Sequence, residues 1–392
     1  MDIEQLIFPF IMAVITNSIM IVIIYFLRKI PSFAGLFSVW FMVILYLFCV
    51  LRIFLPIEFP GIQIKIEDDT VYKSIFDFFI HRDADASIYP NANFFIVIGI
   101  WIAGILIVGC RSMISHRRFR YYLTANGDYS TDEEQRVFSE VVKEVLKSDK
   151  SVSLRKTDAI DGTFVIGLNQ KTIFIPDKAY TEDELRMILR HECMHIKDKD
   201  LWVKLLVQIY CCIFWWNPIA YLLKKDLDLT LEMKCDLNTT QAFSDVQKLF
   251  YVETLKNQSI LINRQKAPFV VSAELVDGKK KDKLLARIMK VLASPPNKAK
   301  QVAVNATAGV FFLLFFVSSF IFIWQPSFDD DEMSVEYYEL ADDGEIVDES
   351  NAYLMKNSDG NYIFYVDKEP QEIIPKEEVE KGMYEDFPIY EE

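Results

Sequence analysis

Five apolar runs interrupt the polar chain, and four of them have the length of a membrane span. These four cover residues 6–27, 36–55, 94–110 and 302–324. Because a helix of about 20 apolar residues crosses about 30 Å of hydrocarbon, we predict four transmembrane helices, the second interrupted only by Arg52. Asp2 and Glu4 stand where a signal peptide would be basic, so we expect the first run to remain as a span.

Lysine and arginine cluster beside three of the four runs, which predicts an orientation. Arg28 and Lys29 follow the first run. Four arginines follow the third run and eight basic residues precede the fourth: Arg111, Arg117, Arg118 and Arg120, then Lys279, Lys280, Lys281, Lys283, Arg287, Lys290, Lys298 and Lys300. Since basic residues accumulate on the cytoplasmic side, residues 111–301 are expected in the cytoplasm and both termini outside. We attribute the basic cluster before the fourth run to attraction by anionic lipid.

Composition divides the chain in the same way. The 392 residues are 52% hydrophobic, and 42 Lys and Arg against 56 Asp and Glu give a formal charge of −14. Residues 325–392 hold 22 acidic and 4 basic side chains, so this tail carries −18 and the rest of the chain +4. The six cysteines lie outside the tail and outside the loop at 56–93, which excludes an ectodomain stapled by disulfides.

The segment between the third and fourth runs begins with the pattern of a small α/β unit. Apolar residues at helical spacing predict a helix over residues 131–147. Short runs rich in β-branched residues predict strands at 152–155, 163–166 and 171–175, the last closed by Pro176.

The next predicted helix carries a metal-binding pattern. Thr181 and Glu184 have the spacing of a capping box at its start. The helix continues into H-E-x-x-H, in which His191 and His195 lie one turn apart and project from one face, so both imidazoles can bind one tetrahedral Zn²⁺. Glu192 is placed to take a proton from a water molecule at such an ion. The alternative is an exposed helix with two incidental histidines.

A catalytic zinc needs a third protein ligand and one open position. Thirty-seven residues after His195 a helical stretch supplies Glu232, with Asp236 one turn later. On a helix packed against the first, E-x-x-x-D would place Glu232 as a ligand and Asp236 as the acceptor for an imidazole N–H. Two acids at this spacing also occur on solvated helix faces. Asp200 is another candidate acceptor, and Cys235 is a less favoured ligand.

Together these motifs resemble the integral-membrane zinc peptidases of the BlaR/MecR sensor-transducer type. The resemblance rests on H-E-C-M-H-I from residue 191, Asp200, W-N-P at 216–218, E-M-K-C-D at 232–236, G-L at 167–168, T-I-F-I-P at 172–176 and R-I-F-L-P-I-E-F-P at 52–60. It covers about residues 1–324. It implies a gluzincin-like peptidase held between the third and fourth spans, with His191, His195 and Glu232 on one zinc ion and Glu192 as the base.

The fifth apolar run, residues 205–223, contains Gln208, Asn217 and the helix-breaking Pro218. If this run crossed the membrane, Glu232 would emerge on the opposite side from both histidines, and the three could not share one ion. We therefore predict an embedded, re-entrant or hydrophobically packed helix, bent near Pro218, that holds the site close to the cytoplasmic membrane surface.

The predicted fold is a mainly α, multi-pass cell-membrane protein with a cytoplasmic gluzincin-like α/β zinc-peptidase domain between its third and fourth helices. The expected divisions are a membrane domain at 1–110 with an outer loop at 56–93, the peptidase domain at 111–301, the fourth transmembrane helix at 302–324 and an acidic extracytoplasmic tail at 325–392.

The tail separates this chain from the antibiotic sensors of the family it resembles. Those proteins carry a penicillin-binding domain with a serine in S-x-x-K, and residues 325–392 contain no such spacing, so a β-lactam signal is not expected. The segments 353–355 and 362–366 around 357–361 have the pattern of a β-hairpin. A partly disordered acidic appendage is one reading of the tail, and a site for an extracellular cationic peptide or metal ion is the other.

The predicted activity is zinc-assisted peptide hydrolysis, in which Glu192 accepts a water proton and passes it to the leaving amine. The resemblance implies a cytoplasmic transcriptional repressor, or the protein's own chain, as substrate. Two other functions stay open: a non-proteolytic transmembrane receptor with a structural metal site, and a housekeeping membrane protease. The lipid bilayer is an expected partner and a homo-oligomer is compatible with the sequence, whereas no nucleic-acid module is present.

Overall fold

The structure is a computed structural model of the chain. It describes residues 3–30, 37–54, 64–67, 92–147, 151–262, 278–293, 298–325, 352–357, 362–366, 369–374, 379 and 387–391. The chain forms two compact units, Met1–Pro326 and Ser327–Glu392.

The described residues form ten helices of more than one turn and ten strands. The helices are α1 (Ile3–Lys29), α2 (Val39–Phe54), α3 (Ala92–Ala125), α4 (Asp132–Leu146), α5 (Glu182–Lys197), α6 (Asp200–Ile213), α7 (Pro218–Thr240), α8 (Asp245–Ile262), α9 (Gly278–Leu292) and α10 (Lys298–Ile321). The strands are β1 (Ile64–Glu67), β2 (Asp128–Tyr129), β3 (Val152–Thr157), β4 (Phe164–Ile166), β5 (Lys171–Pro176), β6 (Phe322–Gln325), β7 (Ala352–Lys356), β8 (Tyr362–Val366), β9 (Glu369–Ile374) and β10 (Ile389–Glu391).

Three helices in the described part of the chain are long and apolar enough to cross a membrane: α1, α3 and α10. The second predicted span appears as α2, a shorter apolar helix of 16 residues, so four spans remain a prediction. Helix α3 continues to Ala125, well beyond the predicted end of its span at residue 110. The predicted span at 302–324 is wrong at its end, because residues 322–325 form β6 and pair in parallel with β1.

The fifth apolar run forms two helices and not one bent helix, which corrects the prediction for residues 205–223. Helix α6 ends at Ile213 and α7 begins at Pro218. The Asn217 side chain accepts a hydrogen bond from the Ile219 N–H at 2.9 Å and so caps α7, while Pro218, which has no N–H to lose, occupies its first turn. The chain therefore reverses direction at residues 214–217.

Contacts with α1 place this helical hairpin relative to the membrane helices. Near the reversal, Asn17 donates a hydrogen bond to the Tyr210 hydroxyl at 2.9 Å, and Asn217 donates to the Ser18 hydroxyl at 3.2 Å. At the end of α1, Arg28 instead pairs with Asp226 of α7. The tip of the hairpin therefore lies beside the middle of α1, and both of its arms extend toward the end of α1 that carries Arg28.

Helix α3 packs against the same tip. Trp101 of α3 donates to the Ile213 carbonyl at 2.7 Å, and Trp215 donates to the Trp101 carbonyl at 3.3 Å. A Cβ added at Gly104 would lie 2.2 Å from the Trp215 ring, so glycine is needed for this approach. An apolar core of α1, α2, α6 and α7 residues surrounds the hairpin, with Tyr46, Phe214 and Leu223 fully buried.

The α/β unit forms with nearly the predicted boundaries. Helix α4 starts after Thr131, whose side chain and Glu134 make a complete capping box. Four strands form one sheet in the order β2-β3-β5-β4, with β3 and β5 parallel. One core contains valines of α4, buried side chains of β3 and β5, and Leu185, Leu189 and Cys193 of α5. This core fixes α5 against the sheet.

The second unit contains a four-stranded sheet in the order β10-β7-β8-β9. β7 and β8 are antiparallel, with Ala352 opposite Val366 and Lys356 opposite Tyr362, which is the pairing expected of the predicted hairpin. The Tyr353 and Tyr365 rings stack with centroids 5.1 Å apart.

Candidate metal centre

Helix α5 positions both histidines of the H-E-x-x-H pattern. Thr181 accepts a hydrogen bond from the Glu184 N–H at 3.2 Å and caps the helix. The Glu184 carboxylate binds Lys178 at 3.2 Å, so only the threonine half of the predicted capping box is present. Because the opposite face of α5 packs against α4 and the sheet, His191 and His195 face α7 and are almost fully buried.

The two imidazoles converge on one point. The Nε2 atoms of His191 and His195 are 3.2 Å apart, and the two rings are nearly perpendicular, at 89°. Two nitrogens this far apart can both bind one zinc ion at about 2.0–2.1 Å, because two ligands of a tetrahedral ion are separated by about this distance.

Glu232 of α7 completes this arrangement. One carboxylate oxygen lies 3.4 Å from Nε2 of His191 and the other lies 3.5 Å from Nε2 of His195. The structure therefore brings together His191, His195 and Glu232, although 37 residues and the tip of the helical hairpin separate the last two along the chain.

Cys235 is a second candidate donor from α7. His191, His195 and Cys235 form a group whose donor atoms all lie within 4.8 Å of one another, and all three residues are buried. The Cys235 sulfur approaches Nδ1 of His191 at 3.5 Å and donates a hydrogen bond to the His191 carbonyl at 3.1 Å. It therefore contacts the side of the His191 ring that faces away from Glu232.

A buried ion-pair cluster orients His195. Its Nδ1 lies 2.8 Å from the Asp200 carboxylate, so Nδ1 carries the proton and Nε2 presents its lone pair. Asp200 in turn binds Lys234, which also lies 3.3 Å from Asp198 and 4.6 Å from the centre of the Trp40 ring. Lys234 and Asp200 are both almost completely buried.

A second buried cluster orients His191. The Tyr251 hydroxyl donates to Asp236 at 2.7 Å, so its oxygen accepts from Nδ1 of His191 at 2.8 Å. Arg287 of α9 forms two hydrogen bonds with the Asp236 carboxylate at 2.7 and 2.8 Å, and also lies 3.4 Å from Glu232. Both histidines therefore present Nε2, and not Nδ1, to the point where Glu232 lies.

Sequence patterns did not indicate Tyr251, Lys234 or Arg287 as site residues. Arg287 was included in the basic cluster that we attributed to lipid, and this interpretation is wrong for Arg287, because its guanidinium is directed to Asp236. The only available signal was the position of Arg287 on a strongly amphipathic helix. Of the other histidines, His116 is exposed on α3, and His81 lies outside the described residues.

The pKa values of Glu232 and Asp236 are lowered, whereas the pKa of Glu192 is raised. Burial alone would raise the pKa of the Glu232 carboxyl, but His195, Lys204 and Arg287 hold it well below its ordinary value. Burial alone would also raise the pKa of Asp236, but Arg287 lowers it to about 2. Glu192 differs, because burial raises the pKa of its carboxyl and the two histidines only partly offset that effect.

The Cys235 thiol and the two imidazoles shift each other's pKa values. Burial would raise the pKa of the Cys235 thiol, but His191 and His195 lower it below its ordinary value. Burial alone would lower the pKa of both imidazoles. Cys235 raises the pKa of His191, and Glu232 and Cys235 raise the pKa of His195, in both cases to well above the ordinary value. The Glu232 carboxylate and the Cys235 sulfur therefore both lie against the two histidines, as a site for a cation requires.

This set of donors suits a zinc ion. Two imidazole Nε2 atoms and one ionised carboxylate meet at one point, and each imidazole has its tautomer fixed by a partner on Nδ1. Glu192 follows His191 in sequence and is partly exposed, and its carboxyl interacts electrostatically with His191, His195 and Glu232, so it lies beside the site.

Comparison with known proteins identifies the family of this chain. The family model of the BlaR1 peptidase M56 matches residues 6–291. The chain is 24% identical over 242 residues to the methicillin resistance mecR1 protein of Staphylococcus aureus, covering 60% of this chain and 39% of that protein. It is 24% identical over 235 residues to the regulatory protein BlaR1 of Bacillus licheniformis, covering 58% of this chain and 38% of that protein. The match thus spans about two fifths of the length of these relatives. Since the family model covers most of the chain, this membrane protein belongs to the BlaR1 peptidase M56 family.

Proposed function

We propose that this protein is a membrane-embedded zinc metalloendopeptidase in which His191, His195 and Glu232 bind one Zn²⁺ and Glu192 is the general base. One observation carries the proposal: the two Nε2 atoms lie 3.2 Å apart, and one Glu232 oxygen lies 3.4 Å from that of His191 while the other lies 3.5 Å from that of His195. Membership of a family of metallopeptidases supports it.

The residues of the site would divide the chemistry of peptide hydrolysis. A bound Zn²⁺ polarises a scissile carbonyl and makes a water molecule more acidic. Glu192 would accept the water proton and deliver it to the leaving amine, a role that suits a carboxyl whose pKa burial raises above its ordinary value. Asp200 and Asp236 would hold the two imidazoles with Nε2 directed at the ion.

A structural metal site is the second candidate, and Cys235 is the observation that favours it. If the ion were bound by His191, His195, Glu232 and Cys235, four protein ligands would close the coordination sphere, as in structural zinc sites. No position would then be free for water or substrate. Such a site would suit a receptor that transmits a signal without proteolysis.

Two conservative substitutions separate the two candidates. We expect Glu232→Gln to lower zinc content to a small fraction of the wild-type value, and Cys235→Ser to leave it near one ion per chain, because only the carboxylate faces both Nε2 atoms. Zinc is measured by inductively coupled plasma mass spectrometry on full-length protein purified in detergent. Loss of zinc in both Glu232→Gln and Cys235→Ser would favour the closed, structural site, because that site uses both side chains as ligands.

The regulatory setting is also a proposal. The relatives are a regulatory protein and a methicillin resistance protein, which supports a role in signalling. We propose four spans, an extracytoplasmic position for both termini and for the tail at 325–392, and a cytoplasmic or juxtamembrane protein substrate. That substrate would be a transcriptional repressor or the protein itself. An extracellular cationic peptide or metal ion at the acidic tail would be the trigger.

A further inference from the structure

A cavity of about 460 Å³ lies on the α/β unit where α5 passes into α6. Its floor is apolar and includes Val145, Ile196 and Leu201, whereas four lysines reach it: Lys147, Lys171, Lys197 and Lys199. This volume falls within the range of about 300–1,000 Å³ that is usual for small-molecule sites. The cavity does not include any of the metal-centre residues, so it is a separate feature.

The lysines make the cavity strongly cationic. Among the described residues, no carboxylate forms an ion pair with Lys147, Lys197 or Lys199. Three positive charges around an apolar floor favour an anionic ligand with an apolar part.

The backbone at two of these lysines supports the same conclusion. Lys147 and Lys199 have φ of 55° and 58°, and they are the only described residues other than glycine with positive φ. Glycine is favoured in this left-handed region and a lysine there is strained. Both strained lysines of the described chain therefore line one cavity, a concentration typical of functional sites.

The cavity also opens onto an apolar helix face. Trp202, in the cavity wall, is 50% exposed, and Leu205, Leu206 and Ile209 are exposed at helical spacing along α6. This stripe runs from the cavity toward the tip of the helical hairpin at residues 214–217, beside the middle of α1. Since α6 rises about 1.5 Å per residue, the cavity lies about 15–20 Å from that tip, near the level where α1 ends.

We propose that this cavity binds the headgroup of an anionic phospholipid, with the acyl chains along the α6 stripe. The lysines would contact the phosphate, and Trp202 would lie at the boundary between headgroup and hydrocarbon, where tryptophan is common in membrane proteins. Basic pockets on the cytoplasmic side of membrane helices bind anionic headgroups in this way. The site is independent of any peptidase activity.

The test uses full-length protein in detergent micelles, titrated with phosphatidylglycerol or phosphatidylcholine and analysed by native mass spectrometry. We expect the wild-type protein to retain one phosphatidylglycerol in preference to phosphatidylcholine. Lys147→Gly combined with Lys199→Gly should weaken this binding about 25-fold, since a lysine near an anionic surface contributes about fivefold. The unfolding temperature should not fall, because glycine relieves the left-handed backbone at both positions.

Two matched variants complete the design. Lys147→Arg with Lys199→Arg keeps both charges and should keep binding. Lys143→Gln with Lys248→Gln removes two lysines of α4 and α8 that do not line the cavity. This variant should bind phosphatidylglycerol as the wild type does. Undiminished phosphatidylglycerol binding in the double glycine variant would overturn the proposal. So would displacement of the lipid by glycerol phosphate alone, because the site would then recognise a soluble phosphate and not a lipid.

Discussion

At the scale of single residues, the candidate centre is built from two imidazoles, each held by a carboxylate that a buried cation neutralises. Asp200 contacts His195 and Lys234, while Asp236 contacts His191 and Arg287. A buried carboxylate without a cation would lose its hydration without compensation. The cations therefore offset the cost of burying both carboxylates, and the carboxylates in turn hold the Nδ1 side of each histidine.

Lys234 provides the first prediction at this scale. Lys234→Met leaves the Asp200 carboxylate buried and unpaired, so we expect a loss of about 3–5 kcal/mol of stability and a 10- to 100-fold weaker affinity for zinc. Lys234→Arg keeps the charge and should restore much of the zinc affinity. Thermal unfolding and competition with a zinc chelator measure the two effects. Equal zinc affinity in wild type and Lys234→Met would show that Lys234 serves packing alone.

Spacings in the sequence predicted the histidines and the acids of this centre, but not its two cations or its tyrosine. His191, His195, Glu232, Asp200 and Asp236 were predicted from short-range spacings, and the structure brings these side chains together, while their roles stay predictions. Lys234, Tyr251 and Arg287 form no such motif. Because α8 and α9 bring Tyr251 and Arg287 to the centre from distant parts of the chain, only the tertiary fold reveals them.

At the scale of helices, a buried ion pair ties the first membrane helix to the helix that carries Glu232. Arg28 of α1 donates through Nε to both Asp226 oxygens at 2.8 Å, and the Tyr46 hydroxyl of α2 binds the same carboxylate. We had interpreted Arg28 only as a marker of orientation. Its guanidinium in fact connects α1 and α7, six residues before Glu232.

This connection gives a second prediction. Asp226→Asn leaves Arg28 with a neutral partner in a largely buried position, and we expect a loss of about 3 kcal/mol in stability. Replacing both residues by apolar side chains, as in Arg28→Met with Asp226→Leu, should recover most of that loss, since no buried charge is left unpaired. Thermal unfolding of the wild type, Arg28→Met, Asp226→Leu and the double variant in detergent gives the coupling between the two positions. Additive losses in the double variant would contradict a direct interaction.

The capping box of α4 gives a prediction about pH. Burial alone would raise the pKa of Glu134, but the Thr131 N–H and the Lys156 ammonium lower it below 4.5. A lowered pKa in the folded state stabilises the protein above pH 4.5, and this contribution disappears as the pH falls through the lowered value.

Glu134→Gln tests this effect against Glu133→Gln, an exposed neighbour in the same turn. We expect Glu134→Gln to cost about 1 kcal/mol at neutral pH, and its difference from wild type to shrink as the pH falls below 4.5 and through the lowered pKa of Glu134. Unfolding followed by circular dichroism across this pH range measures it. A difference that stays constant with pH would show that the ionised carboxylate contributes nothing.

Elements were predictable where local pattern and tertiary packing agree. The α/β unit matches within two residues at each end, because its helix and strands bury one face in the pattern that the sequence displays. The hairpin of α6 and α7 was expected to be one helix, since apolar composition alone does not distinguish a bend from a full reversal. The strand β6 was missed because its partner β1 lies far away in sequence.

At the scale of the whole molecule, the orientation in the membrane can be tested directly. We expect a single cysteine introduced at Ser334, in the acidic tail, to react with a membrane-impermeant maleimide in intact cells. A cysteine at Lys171, in the α/β unit, should react only after lysis. The unmodified chain is the control, because Cys110 is exposed and Cys212 is partly exposed, and its labelling gives the background from these native thiols. Labelling of both positions from the same side would contradict the proposed topology.

We propose that a metal held by α5 and α7 serves hydrolysis, with Glu192 as its base. The most direct measurement compares protein cleavage in cells that carry the wild-type protein with cleavage in cells that carry Glu192→Gln, with zinc content determined on the same preparations. We predict that Glu192→Gln keeps about one zinc per chain, because Glu192 is not a ligand, and that cleavage falls at least about 100-fold. Cleavage at the wild-type rate by a zinc-loaded Glu192→Gln variant would contradict this account.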